Sequence, residues 1–192
     1  MNTGITIETE RLLLIPGNNA RDDEPFILML RNDGNFRDFC GLEFSEKNLE
    51  DFRNYFERRG HGRCIYSIFP KNTNRFIGYV GFHREPDFDY EIEFYIMKNE
   101  RRKGYCEEAC KAVINLFFSE GISIDNNKLR VKKLYASVLT DNTPAICLLS
   151  KLGFKRYIPE EGPIFIMEGF VDGESNEFFG YCVSKYVIQG GP

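Results

Sequence analysis

Three runs of alternating apolar and polar residues succeed one another almost without pause: RCIYSIFP at 63–70, RFIGYVGFHRE at 75–85 and DYEIEFYIM at 89–97. Only KNTN and Pro86-Asp87-Phe88 separate them. Connections this short permit antiparallel neighbours alone, so the three runs predict a meander. The next segment cannot continue it. From Gly104 to about Gly121 the period is helical, with Cys106, Ala109, Cys110, Val113, Leu116 and Phe117 on one stripe. KKLYASVL then reads as a strand, and TPAICLLSKLGF as a helix with Thr143 as N-cap, Pro144 in its first position and Gly153 as its stop. PIFIMEGF and EFFGYCVSKYVI read as two final strands around the turn VDGESN. Ahead of the meander, 5–17 alternates as one strand ended by Pro16-Gly17. Helices are expected after Asp22-Asp23-Glu24 and from Ser45 to about Arg59. This order predicts a mixed α/β sheet with helices on its faces. Where the meander gives way to the β-α-β-α-β tail, one strand must part from a neighbour. In open α/β sheets, ligands bind in such crevices at the carboxyl ends of the strands.

The chain has 192 residues and neither repeat nor linker, so one domain over 1–192 is expected. A net charge of -4 argues against nucleic-acid binding of the sequence-independent kind, which needs a surplus of cations. No apolar run is long enough to span a bilayer, and the start lacks a basic-then-apolar signal, so a cytoplasmic protein without membrane attachment is expected. Cys40, Cys64, Cys106, Cys110, Cys147 and Cys182 are scattered without a CxxC pair and read as reduced, packed thiols. With His61 and His83 the only histidines, no metal site is expected.

ERRKGYCEEA, 100–109, lies at the carboxyl end of the last meander strand and opens the helix. A pyrophosphate needs converging N–H donors, little bulk and positive potential. A turn entering a helix supplies the donors, Gly104 permits close approach, and Arg101, Arg102 and Lys103 add charge. A basic turn before a helix is also an ordinary solvated face, so neighbouring motifs must decide.

They do so through a family pattern. Arg101-Arg102-Lys103-Gly104-Tyr105-Cys106 resembles the R-x-x-G-x-G/A loop of the GNAT superfamily of N-acetyltransferases. EIEFYI from Glu91 is similar to the E-I-G-Y-W-L strand of its ribosomal-protein N-terminal acetyltransferase branch. Asn142-Thr143-Pro144-Ala145, with Lys151-Leu152-Gly153-Phe154 after it, resembles that branch's N-x-x-S/A…LGF helix, and IETERLLL and the late VDG turn are similar to it too. The resemblance implies a single-domain GNAT-like α/β fold with a central, mostly antiparallel sheet of about seven strands, a V-shaped splay between the fourth and fifth, and about four helices. It implies acetyl-coenzyme A as cosubstrate, with pantetheine along the splay at Ile96, pyrophosphate on the loop from Arg101 to Cys106, and Asn142 on the cofactor arm. Departures are Arg102 for a glycine, Glu93 for a glycine, Cys106 at the final Gly/Ala position, Ala145 for a serine, and Leu149 where many relatives carry an acidic tyrosine.

Acetyl transfer to an amine needs a base for the amine proton, a donor for the oxyanion and a proton for the thiolate. Alternation sets Tyr90, Ile92, Phe94 and Ile96 on one face of their strand, and Glu91, Glu93 and Tyr95 on the other, with the two carboxylates about 7 Å apart. Glu91 is the expected base and Glu93 the shaper of an acidic mouth for a cationic substrate; His83 and Tyr95 are secondary candidates, and a strand amide near Ile96 the oxyanion donor. The acceptor is expected to be a primary amine, on a protein N-terminus or a small molecule, and the enzyme a monomer or homodimer. The alternative is a coenzyme A-binding sensor or scaffold module with little catalysis.

Overall fold

The computed structural model describes residues 5–17, 64–85, 88–124, 127–129, 133–140, 142–157, 164–172 and 175–189. In chain order the elements are β1 (Ile7–Glu8), β2 (Leu12–Gly17), β3 (Cys64–Pro70), β4 (Gly78–Glu85), β5 (Phe88–Ile96), α1 (Tyr105–Ser119), β6 (Ile122–Ile124), β7 (Asn127–Leu129), β8 (Lys133–Leu139), α2 (Thr143–Lys151), β9 (Lys155–Tyr157), β10 (Ile164–Asp172) and β11 (Ser175–Gln189). One sheet runs β1-β2-β3-β4-β5-β8-β11-β10, with β9 joined to β11. Seven of these strands are long; β1 and β9 add two and three residues. Every pair is antiparallel except β5 with β8, which meet in parallel at Glu91 and Tyr135. The expected parting of the fourth and fifth long strands is therefore present. The helices expected after Asp22 and from Ser45 lie outside the described residues.

The first strand departs from its reading as one run over 5–17. Thr9 N–H donates to the Leu12 carbonyl at 3.0 Å, and Leu12 N–H to Thr9 Oγ at 2.9 Å. That turn folds β1 back on β2, setting Ile7 against Leu14. Pro16 does not end β2: it pairs with Tyr66, and β1 reaches only Leu13 and Leu14, so among the described residues no partner strand calls on the missing N–H. The cap of α2 also differs by one residue. Asn142 rather than Thr143 is the N-cap, its Oδ1 accepting the Ala145 N–H at 3.2 Å. The hairpin β6–β7 has no counterpart in the sequence pattern, because three-residue strands are too short for period two to show.

The stripe on α1 packs as its spacing requires. Ala109, Cys110, Val113 and Phe117 are fully buried against the face of β5 carrying Tyr90, Ile92 and Ile96. Phe117 is the junction, its ring 4.5 Å from Phe82 and 6.0 Å from Tyr90. Phe117→Ala should cost about 3–5 kcal/mol, through lost transfer energy and the cavity left behind. Urea unfolding that shows less than about 1 kcal/mol would mean that α1 is held chiefly by something else.

Candidate active site

The site begins where hydrogen bonding stops. Met97 N–H donates to the Ile77 carbonyl at 2.9 Å, so that edge of β5 faces β4. By strand alternation the main-chain groups of Ile96 and Phe94 turn the other way, toward β8. No rung of the parallel ladder beyond Glu91 and Tyr135 meets them. Ile96 thus presents strand edge to a gap, the condition for adding an extended ligand by main-chain pairing.

At the mouth of the gap the chain makes one 3₁₀ turn, Lys98–Glu100, and enters α1. Gly104 takes the N-cap position in the left-handed region at φ 80°, without a side-chain cap. The first helical bond is Glu108 N–H to the Gly104 carbonyl at 3.1 Å. Among the described residues no acceptor meets the N–H groups of Tyr105 and Cys106, which leaves the donors a phosphate requires. Arg102, standing where the family pattern has glycine, is also left-handed at φ 65° and exposed. The backbone has kept the shape glycine would give it, at a cost of roughly 1–2 kcal/mol for a residue with a Cβ.

The three cations are not equivalent. Arg101 turns inward: Nε donates to the Ile96 carbonyl at 2.9 Å, Nη2 to the Tyr95 hydroxyl at 2.8 Å, and the guanidinium lies 5.1 Å from the Tyr95 ring centre. Tyr95 is thereby a platform for Arg101. Lys103 pairs with Glu100 at 2.8 Å, and hydrogen bonds from Lys103 hold the Glu100 carboxyl below the usual carboxylate range. Arg102 alone of the three makes no side-chain bond among the described residues.

Sequence reasoning missed what fastens this loop. Arg11, in the turn before β2, donates from Nη1 to the Lys103 carbonyl at 2.8 Å and from Nε to Glu108 at 2.6 Å, and lies 4.9 Å from the Tyr105 ring centre. Thr9 Oγ donates to the same Glu108 carboxylate at 2.6 Å, and Arg11 N–H at 2.8 Å. The available signal is the Thr-x-Arg-Leu of IETERLLL, which carries the family resemblance but names no partner for the arginine.

On the sheet face opposite α1, β4 and β5 set His83 directly across from Glu91 and Gly81 across from Glu93. His83 Nε2 is 4.0 Å from Glu91, and Nδ1 is 3.8 Å from Glu93. Glu91, only 4% exposed, is buried rather than lining an open cleft. Ser137, from β8 beyond the gap, places Oγ 2.9 and 2.8 Å from its two carboxylate oxygens. Nothing in the sequence pattern marks Ser137. Asn142, with Oδ1 bound as the cap of α2, retains its NH2 as a donor. Leu149 is buried in the core, and its side chain has no proton to give. Glu91, Glu93, His83 and Ser137 thus converge at the foot of the gap, and Ile96 and 101–106 at its mouth. His61 lies outside the described residues. Among the described residues no cluster of His, Cys, Asp or Glu could hold a metal ion.

A parted sheet with a glycine turn at its mouth and carboxylates at its foot is an arrangement suited to acyl transfer. The chain belongs to the acetyltransferase (GNAT) domain family, whose model matches residues 11–155. It is 29% identical over 159 residues to the uncharacterized N-acetyltransferase YoaA of Bacillus subtilis, covering 78% of this chain and 82% of that one. Across the four matching curated relatives, the aligned part of the relative's own length runs from 48% to 82%. The fold is that of RimL, a ribosomal alpha-N-protein acetyltransferase, with a TM-score of 0.65, 14% identity and coverage of 97% of this chain and 94% of that one. It is shared with spermidine N-acetyltransferase from Vibrio cholerae in complex with CoA and spermine, with a TM-score of 0.62, 17% identity and coverage of 95% and 97%. The protein is an N-acetyltransferase by family, and acetyltransferases of this family use acetyl-coenzyme A.

The Thr9–Arg11–Glu108 tie has a measurable pH signature. Burial pushes the Glu108 carboxyl up, but hydrogen bonds from Thr9 and from the main chain and side chain of Arg11 outweigh it and hold the group below the usual range. A lowered native pKa adds stability above the unfolded value of about 4.3, lost as pH falls through the native one. Wild type should therefore melt above Glu108→Gln at pH 7, with the difference closing below about pH 4. A difference that stays constant down to pH 2 would count against the tie.

Proposed function

We propose that this chain transfers the acetyl group of acetyl-coenzyme A directly to a primary amine, on a protein N-terminus or a small cation such as a polyamine. One observation carries the reading: β5 and β8 part immediately above a buried carboxylate, and the same gap opens onto the uncapped start of α1. The residues suit the cosubstrate. Phosphates would be held by the N–H groups of the turn from Arg101 to Cys106, with Arg101, Arg102, Lys103, Gly104 and Tyr105 shaping it. The extended arm would pair with Ile96, and Asn142 would donate to it. When bound, acetyl-coenzyme A supplies the acetyl group as an activated thioester.

The remaining chemistry belongs to the chain. Glu91 takes the proton that keeps the amine cationic, directly or through water. Glu93, beside Glu91 at the foot of the gap, adds negative charge for a cationic substrate, and His83 stands between the two carboxylates. The strand amides of Phe94 and Ile96, turned into the gap, are the donors for a developing oxyanion. Water returns a proton to the thiolate, since Leu149 and Ala145 cannot. That missing acid also favours the second reading, a coenzyme A-binding sensor or scaffold with little turnover. We further propose a single domain over 1–192, acting in the cytoplasm as monomer or homodimer without nucleic acid or membrane. The free thiols of Cys64, Cys106, Cys110 and Cys147 suit a reducing compartment, and no helix among the described residues is long and apolar enough to cross a membrane.

Thiol release from acetyl-coenzyme A over a panel of polyamines and free-N-terminus peptides tests the reading; calorimetric binding of coenzyme A without thiol release on any amine would instead establish the binding module. Glu91→Gln should lower turnover about 10²–10⁴-fold, most deeply below the amine's own pKa but above that of Glu91, where the amine arrives protonated and the carboxylate is ionised, with acetyl-coenzyme A affinity near normal. An unchanged pH–rate profile removes Glu91 from the mechanism.

A further inference from the structure

The hydroxyl of Ser137 reaches across the gap to both oxygens of Glu91, at 2.9 and 2.8 Å. A hydroxyl has one proton, so it serves the two oxygens as a shared donor, and only the ionised carboxylate accepts on both sides. The partner is remote in sequence, 46 residues away, and comes from the strand that has just parted from β5. Glu91 is 4% exposed, and a carboxylate so buried is tolerated only when its oxygens are bonded. The other groups around it are His83 from β4, Glu93 from β5 itself, and Tyr135, its rung partner on β8; Lys185 stands at the register position beyond Ser137 on β11.

We propose that Ser137 is a positioning residue for the transfer, its hydroxyl holding the Glu91 carboxylate ionised and fixed in place at the foot of the gap. This rests on Glu91 being the base. Ser137 makes and breaks no covalent bond; it donates one hydrogen bond that favours the charged form, and the amine proton still goes to Glu91. Removing a donor to a charged form raises the pKa of that form. Losing a hydrogen bond to a charged group corresponds to a shift of about one unit or more.

The test reads Glu91 itself, without needing the acceptor's identity. The full chain is labelled with carboxyl-13C glutamate, the Glu91 signal is identified by its loss in Glu91→Gln, and it is titrated in wild type, Ser137→Ala and Ser137→Thr. Ser137→Ala should raise the Glu91 midpoint by about one unit, while Ser137→Thr, which keeps the hydroxyl, should leave it near wild type. With an amine that is turned over, the acidic limb of the rate profile should move by the same amount, a tenfold loss at the acid end, with coenzyme A affinity unchanged. An unmoved midpoint in Ser137→Ala overturns the proposal and leaves the role of Glu91 standing, and a lowered melting temperature with an unmoved midpoint does so too, because the contact would then be structural only. Full activity in Glu91→Gln overturns the reading beneath it, whatever Ser137 does to the midpoint.

Discussion

β5 and β8 run parallel and meet at Glu91 and Tyr135, and above that rung the two strands no longer satisfy each other's main-chain groups. The rest of the site depends on that parting. An unpaired strand edge inside a folded sheet is costly unless something takes its hydrogen bonds. Here Arg101 takes part of the load, bonding to the Ile96 carbonyl. The rest remains for a ligand with peptide-like groups, and the arm of coenzyme A has two amides. The fold therefore leaves a demand that an extended, amide-bearing ligand of the kind this family uses would satisfy.

The two faces of β5 divide the work. Tyr90, Ile92 and Ile96 are buried under α1 with Val113 and Phe117, and fix where that helix begins. The apolar stripe of α1 and the bonds from Thr9 and Arg11 to Glu108 together present its first turn at the mouth of the gap. The opposite face carries Glu91, Glu93 and Tyr95, which need polar company. Cross-strand pairing supplies it, with His83 opposite Glu91 and Tyr79 opposite Tyr95. A shift of register by one residue would exchange the two faces and destroy core and site together.

Much of this is legible in the sequence because it is local. The alternation in DYEIEFYIM identifies which residues share a face, and the helical stripe after Gly104 identifies which side of α1 packs. The glycine turn between them is readable because backbone shape depends on few residues. Contacts with no local signature escape such a reading. Ser137 sits in KKLYASVL as an unremarkable outward residue, and its meeting with Glu91 depends on two strands 46 residues apart being adjacent and parallel. The doubling back of β1 escapes for another reason: Thr9 makes its turn by a side-chain bond to Leu12 N–H, which alternation cannot reveal. The shift of the α2 cap from Thr143 to Asn142 is a choice between adjacent capping residues, and the residue whose oxygen reaches the Ala145 amide wins.

Arg11 joins the beginning of the chain to a turn some ninety residues later, with its N–H on Glu108 at a separation of 97. Closing so long a loop is slow compared with forming a helix turn, and it comes after nearer contacts have assembled. A ribosome-bound chain lacking only its C-terminal strands already holds both ends of that tie. The shape of the turn ahead of α1 thus hangs on the capture of Arg11, and any change that displaces Thr9 or Arg11 would act on that turn from more than ninety residues away.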